Sequence, residues 1–182
     1  MILSDVDIKK AVEAGDITLK DFDEGRVQPA SYDILLANEF ILTEPHSTTF
    51  VDPNKHIGPK TKEVQVGDGE AFVLHPGVSV LGKSLDYFGS ENYVIQLSGK
   101  SSLARIGLIV HNTAGIINPG HYLQVTLELY NLSNTPIILR PGMEIAQLLF
   151  LPLSSPPSQS YKKTGRYNEN NWETWKPSKN GN

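Results

Sequence analysis

Hydrophobic and polar residues alternate most regularly late in the chain, where Val125, Leu127 and Leu129 interleave with Thr126, Glu128 and Tyr130. A period of two predicts a half-buried strand and sends Glu128 to the same face as Thr126 and Tyr130. Shorter apolar runs predict further strands at Tyr32–Leu36 and Glu39–Leu42, split by Ala37-Asn38. Others fall at Ala71–Leu74, Val78–Leu81, Tyr93–Leu97, Pro136–Leu139 and Ile145–Leu151. Turns are expected at His75-Pro76-Gly77 and Arg140-Pro141-Gly142, where Pro fixes φ and Gly admits positive φ. The period changes at the start. Ser4 and Asp7 resemble a capping box, and Ile8, Ala11 and Val12 carry helical spacing up to Gly15, which predicts one short surface helix.

Glu44 to Gly69 is rich in Pro, Gly, Thr, Lys and His and reads as a long excursion with at most one short strand. Short strands punctuated by Gly and Pro predict an all-β barrel or sandwich, with no repeat at a solenoid period. Aliphatic content then falls away, so the expected division is a β domain over 1–154 and a tail over 155–182. Its polarity predicts mobility. Its aromatics (Tyr161, Tyr167, Trp172 and Trp175) suggest an arm able to order against another surface.

Composition narrows the function classes. At 182 residues the chain suits one domain with a real core. A net charge of −4 argues against nucleic acid, which needs a basic face, but leaves room for a small polyanion. With no cysteine, disulfides and thiolate metal sites are ruled out. The start, MILSDVDIKK, lacks a signal peptide's apolar run, and no stretch approaches a membrane span. The expectation is a soluble, cytoplasmic protein that uses no membrane.

Two features carry chemistry. The run GKSSLAR puts Lys100, Ser101, Ser102 and Arg105 beside a glycine, a set that offers charge-assisted and backbone hydrogen bonds to phosphate oxygens. Glu128 is a carboxylate in a strongly apolar strand, and such a group needs a partner or a task.

GKSSLARIGL, HNTAG, INPG and LELYN follow one another within about thirty residues. In that order and spacing they resemble the core of the dCTP deaminase branch of the dUTPase superfamily. VQPASYDILL, LHPG and LRPGMEIAQLLF extend the match over most of the chain, which weakens from about residue 155. The resemblance implies a dUTPase-like distorted β-barrel or jelly roll. It also implies a homotrimer with active sites between subunits, and hydrolytic deamination of dCTP to dUTP and ammonia. Many nucleobase deaminases activate water with zinc held by His and Cys beside a catalytic Glu. Without Cys or an H-x-E triplet, zinc is not expected here.

By the same resemblance, Glu128 shuttles the proton, while Ser101 and the carbonyl of Ala114 hold the water. Lys100, Ser102 and Arg105 grip the phosphates, although the family usually has Arg where this chain has Lys100. Tyr161, Lys163, Arg166 and Tyr167 fall where the family places a lid. Mg²⁺ is expected to arrive on the triphosphate without a protein-built cage.

Two positions conflict. Asn118, matched to the sugar, stands where the family carries Asp, and an amide cannot accept a proton as a carboxylate does. Gly115 follows the pattern of bifunctional relatives that carry dCTP through to dUMP and pyrophosphate. The missing carboxylate is given more weight, so the expected reaction ends at dUTP. The alternatives are the bifunctional reaction and a non-catalytic nucleotide-binding regulator.

Overall fold

The computed structural model describes residues 1–45, 48–55 and 57–167. The expectations for Trp172, Trp175 and the rest of the tail beyond 167 therefore lie outside the described residues. In chain order the elements are α1 (Asp5–Glu13), β1 (Thr18–Leu19), β2 (Val27–Gln28), β3 (Ser31–Thr43), β4 (Thr61–Gln65) and β5 (Phe72–Leu74). They continue with β6 (Ser79–Gly89), β7 (Tyr93–Gly99), α2 (Ser101–Ala104), β8 (Leu108–Ile109) and β9 (Ile116–Ile117). Last come β10 (Leu123–Asn131), β11 (Ile137–Leu139), β12 (Glu144–Pro152) and α3 (Tyr161–Thr164).

The helix is capped as its sequence predicts: the Asp7 N–H donates to Ser4 Oγ at 3.4 Å, and Ile8 and Ala11 are buried. Gly15 follows at φ +78°, a conformation costly for any residue with a Cβ. Among the described residues no helix is long and apolar enough to cross a membrane.

The strands form an antiparallel ten-stranded sheet with the path β8-β10-β6-β3-β12-β7-β9, beside the separate pair β5-β11. The all-β expectation with a short N-terminal helix holds. Two strand expectations need correction. Tyr32–Leu36 and Glu39–Leu42 belong to one continuous strand, β3, whose register against β6 shifts between Leu36 and Phe40. At that bulge Asn38 donates its side-chain amide to the Val66 carbonyl at 3.1 Å, so the polar pair that looked like a break is satisfied from outside. The first half of β3 pairs with β12 and the second with β6 and β4, which lets one strand join the two halves of the sheet.

Val78–Leu81 is only the start of β6, which runs on to Gly89. Its interior holds buried Ser84 and Asp86, which mask the apolar period. Both are paired: Ser84 Oγ accepts from the Val125 N–H at 2.8 Å, and Asp86 meets the Arg26 guanidinium at 2.7 Å. The other Asp86 oxygen accepts from the Leu35 N–H at 2.7 Å, so the buried ion pair ties the turn before β2 to β3 and β6.

The core between the sheet halves contains Tyr32, Ile34, Leu36, Phe40, Phe88, Leu127, Leu129, Leu148 and Phe150, all at most 0% exposed. Burying each such side chain contributes roughly 1.5–3 kcal/mol. This packing holds β10 and β6 rigid, and the site is built on their edge.

Candidate active site

Along β10 the residues alternate strictly between buried and half-buried, and Glu128 falls on the half-buried face opposite Leu81 of β6. Its Oε2 accepts the Asn112 N–H at 2.7 Å, while Oε1 has no hydrogen bond among the described residues. The carboxylate is therefore oriented on one side and open on the other. It lines a cavity of about 510 Å³ that Ala114, Asn118, Gln124 and Thr126 also line.

The loop carrying Asn112 and Ala114 is pinned at both ends. β8 pairs with β10 at Ile109 and Tyr130, and the Leu97 N–H of β7 donates to the Gly115 carbonyl at 2.7 Å. A Cβ at Gly115 would lie 2.9 Å from the Leu97 carbonyl oxygen and 3.1 Å from His111 Cε1. Gly115 is thus required by close approach of backbone, whatever its value as a signature.

Asn118-Pro119-Gly120-His121 is a tight turn closed by the His121 N–H on the Asn118 carbonyl at 3.1 Å, with Gly120 at φ +82°. Pro at the second position and a positive-φ Gly at the third make it type II. The turn brings Asn118 and His121 to the cavity wall.

The arm 160–167 lies against this turn. The Tyr161 N–H donates to the Pro119 carbonyl at 3.0 Å, and Ser160 Oγ donates to Glu91 at 3.2 Å. The Tyr161 ring stacks on His121 with centroids 4.2 Å apart, and His121 Nε2 meets the Tyr167 carbonyl at 2.7 Å. Composition predicts mobility for this segment; its described part is instead ordered by stacking and backbone bonds. Tyr161 and Tyr167 line the cavity, whereas exposed Lys163 and half-buried Arg166 do not.

The phosphate candidates lie elsewhere in the chain. Lys100 caps α2, and Ser101, Ser102 and Arg105 are exposed on it, none of them lining the cavity. The Lys100 ammonium is held by two carboxylates, Asp33 at 2.5 Å and Glu144 at 2.6 Å. Burial pulls the Lys100 pKa down, but hydrogen bonds and charge from Asp33 and Glu144 outweigh it and raise the value. Asp33, buried, keeps one oxygen without a partner among the described residues. Those residues contain no cluster of three or more His, Asp or Glu side chains arranged for a metal.

His121 is the cavity group that sequence reasoning passed over. It reads as one of five scattered histidines, and its partners lie in the arm, 46 residues away at Tyr167. Burial lowers its pKa from the usual 6.5, more than the bond to Tyr167 raises it.

A family model described as dCTP deaminase-like matches residues 2–153. The chain is 46% identical over 162 residues to the dCTP deaminase, dUMP-forming, of Tropheryma whipplei strain Twist, covering 88% of this chain and 83% of the relative. It is 41% identical over 187 residues to the protein of the same name from Salinispora tropica, covering 97% of each. Among solved structures, the 2'-deoxycytidine 5'-triphosphate deaminase of Agrobacterium tumefaciens matches with a TM-score of 0.62 at 21% identity. That match covers 82% of this chain and 47% of the other, and it speaks for the fold alone. The dUMP-forming names overturn the expectation of a reaction that ends at dUTP.

Proposed function

Because this chain belongs to the dCTP deaminase-like family, we propose that it converts dCTP to dUMP, releasing ammonia and pyrophosphate. On this reading the amide of Asn118 does not stop the reaction at dUTP. The observation that carries the reading is the half-open Glu128 carboxylate on the wall of a nucleotide-sized cavity, in a chain whose relatives are named for that product.

Glu128 Oε1 takes a proton from a water held near the Ala114 carbonyl, and the water oxygen bonds to the ring carbon bearing the amine. Glu128 passes that proton to the adjacent ring nitrogen. Glu128 then carries the remaining hydroxyl proton to the amine, so the carbon–nitrogen bond breaks, ammonia leaves and the ring carbonyl forms. The Asn112 N–H keeps the carboxylate aimed throughout. Asn118 meets the sugar.

Ser102 and Arg105 would grip the phosphates, with Ser101 beside the water, from the α2 loop of a neighbouring subunit. Support for this arrangement comes from their position outside the cavity that Glu128 lines, and from Ile116 at 67% and Leu132 at 66% exposed. A homotrimer would satisfy both. Mixing two inactive variants, Glu128→Gln and Arg105→Ala, should then restore part of the activity, because some shared sites receive both intact residues. Mg²⁺ would ride on the triphosphate oxygens, with most of its ligands from phosphate and water.

The reading is tested by incubating the protein with dCTP and Mg²⁺ and measuring ammonia and pyrophosphate separately. Equal amounts of both, with dUMP, are expected. Ammonia with accumulating dUTP and no pyrophosphate would overturn it.

A further inference from the structure

Forming dUMP takes a second water, which on this reading attacks the α-phosphorus and needs its own base. The ring carbon and the α-phosphorus sit at opposite ends of the nucleoside, with the sugar between them. One carboxylate held in place by the Asn112 N–H cannot serve both. The other titratable side chains on the cavity wall, among the described residues, are His121, Tyr161 and Tyr167. Tyrosine is a poor base near neutral pH, and Asn118 has no proton-accepting form there.

His121 has the organisation of a base. The Tyr167 carbonyl can only accept, so Nε2 carries the proton and Nδ1 is left with its lone pair. Nδ1 makes no hydrogen bond among the described residues. The ring is clamped by Tyr161 on its face and fixed in position by the type II turn beneath it. A base whose second nitrogen is oriented by a fixed acceptor is the arrangement that general-base histidines use. His121 stands just before β10 and Glu128 beyond its middle. Both side chains line the same cavity, so one bound nucleotide can present a different end to each.

Resting on the dUMP-forming reading, we propose that His121 Nδ1 takes the proton from the water that attacks the α-phosphorus. The water oxygen bonds to that phosphorus and the bond to the bridging oxygen of the β-phosphate breaks. Pyrophosphate leaves with the electron pair, and the proton passes from Nδ1 to solvent. The arm then acts as more than a cover, because its Tyr167 carbonyl sets the tautomer.

The test compares wild type with His121→Phe, which keeps the ring against Tyr161, and His121→Gln, whose amide can still donate to the Tyr167 carbonyl. Pyrophosphate and ammonia are measured from dCTP across pH. The ratio of pyrophosphate to ammonia should fall at least about 10²-fold in both variants, the usual contribution of a general base. In wild type the ratio should also drop as pH falls through a value below 6.5, where His121 protonates. The groups facing His121 are Tyr161, Tyr167, neighbouring Tyr122 with Lys162 5.6 Å from its ring centroid, Glu91 through Ser160, and Glu128 along the cavity. All remain in both variants, so only the limb belonging to His121 should vanish. An unchanged ratio in both variants would overturn the assignment, as would parallel loss of both products. Wild type that releases ammonia but no pyrophosphate would instead overturn the dUMP-forming reading, and this inference with it.

Discussion

Lys100→Met keeps the length of the side chain and deletes its ammonium, which lies 2.5 Å from Asp33 Oδ2 and 2.6 Å from Glu144 Oε2. The two carboxylates differ in surroundings: the Asp33 side chain is 2% exposed and that of Glu144 47%. Once the ammonium is gone, Glu144 is solvated and loses about 1 kcal/mol or less. Among the described residues Asp33 then keeps only the Gln28 amide at 3.1 Å, and its other oxygen already lacks a partner. A buried charge stripped of its counter-ion costs about 3–5 kcal/mol. At about 2–4 °C per kcal/mol for a chain of this size, Tm should fall by roughly 6–20 °C. Thermal scans should run beside Glu144→Gln, expected near wild type, and the double variant Asp33→Asn/Lys100→Met, expected to recover most of the loss. A Tm within about 4 °C of wild type, with a steep rise in KM for dCTP, would refute the tether and return Lys100 to the phosphates.

Three further outcomes follow from the site. Glu128→Gln preserves an acceptor for the Asn112 N–H and should fold normally, yet ammonia release should fall about 10²–10⁴-fold. Gly115→Ala puts a methyl 2.9 Å from the Leu97 carbonyl oxygen, which the backbone must yield to accommodate. It should cost about 1–3 kcal/mol in urea unfolding and lower ammonia release by displacing Ala114. Burial depresses the His121 pKa below 6.5, so the unfolded chain binds a proton that the folded one refuses. That share of stability is present above about pH 6.5 and is lost as pH falls through the folded value. Wild-type Tm should therefore drop more than that of His121→Phe between about pH 7 and about pH 5.

Most of the fold follows from local pattern. Strict alternation along β10 gives both the strand and the placement of Glu128, and a capped start gives α1. What local pattern misses is satisfied at long range. β6 looks short because Ser84 and Asp86 interrupt its apolar face, and their partners are Val125 and Arg26. β3 looks broken at Asn38 because its partner, Val66, lies near the far end of the chain's long excursion. Lys100 reads as a phosphate ligand from its neighbours Ser101 and Ser102, while its ion pairs reach back to Asp33 and forward to Glu144. His121 is invisible for the same reason, since nothing in its neighbourhood announces Tyr161 and Tyr167. An aromatic-rich tail after a polar stretch points to an arm without naming its dock.

The central claim is that two waters attack one nucleotide, at the ring carbon and at the α-phosphorus. Running the reaction from dCTP in heavy-oxygen water and weighing the dUMP by mass spectrometry tests it most directly. The account predicts two solvent oxygens in dUMP, one on the ring and one on the phosphate, and none in the released pyrophosphate. A single label on the ring, or label in the pyrophosphate, would contradict it.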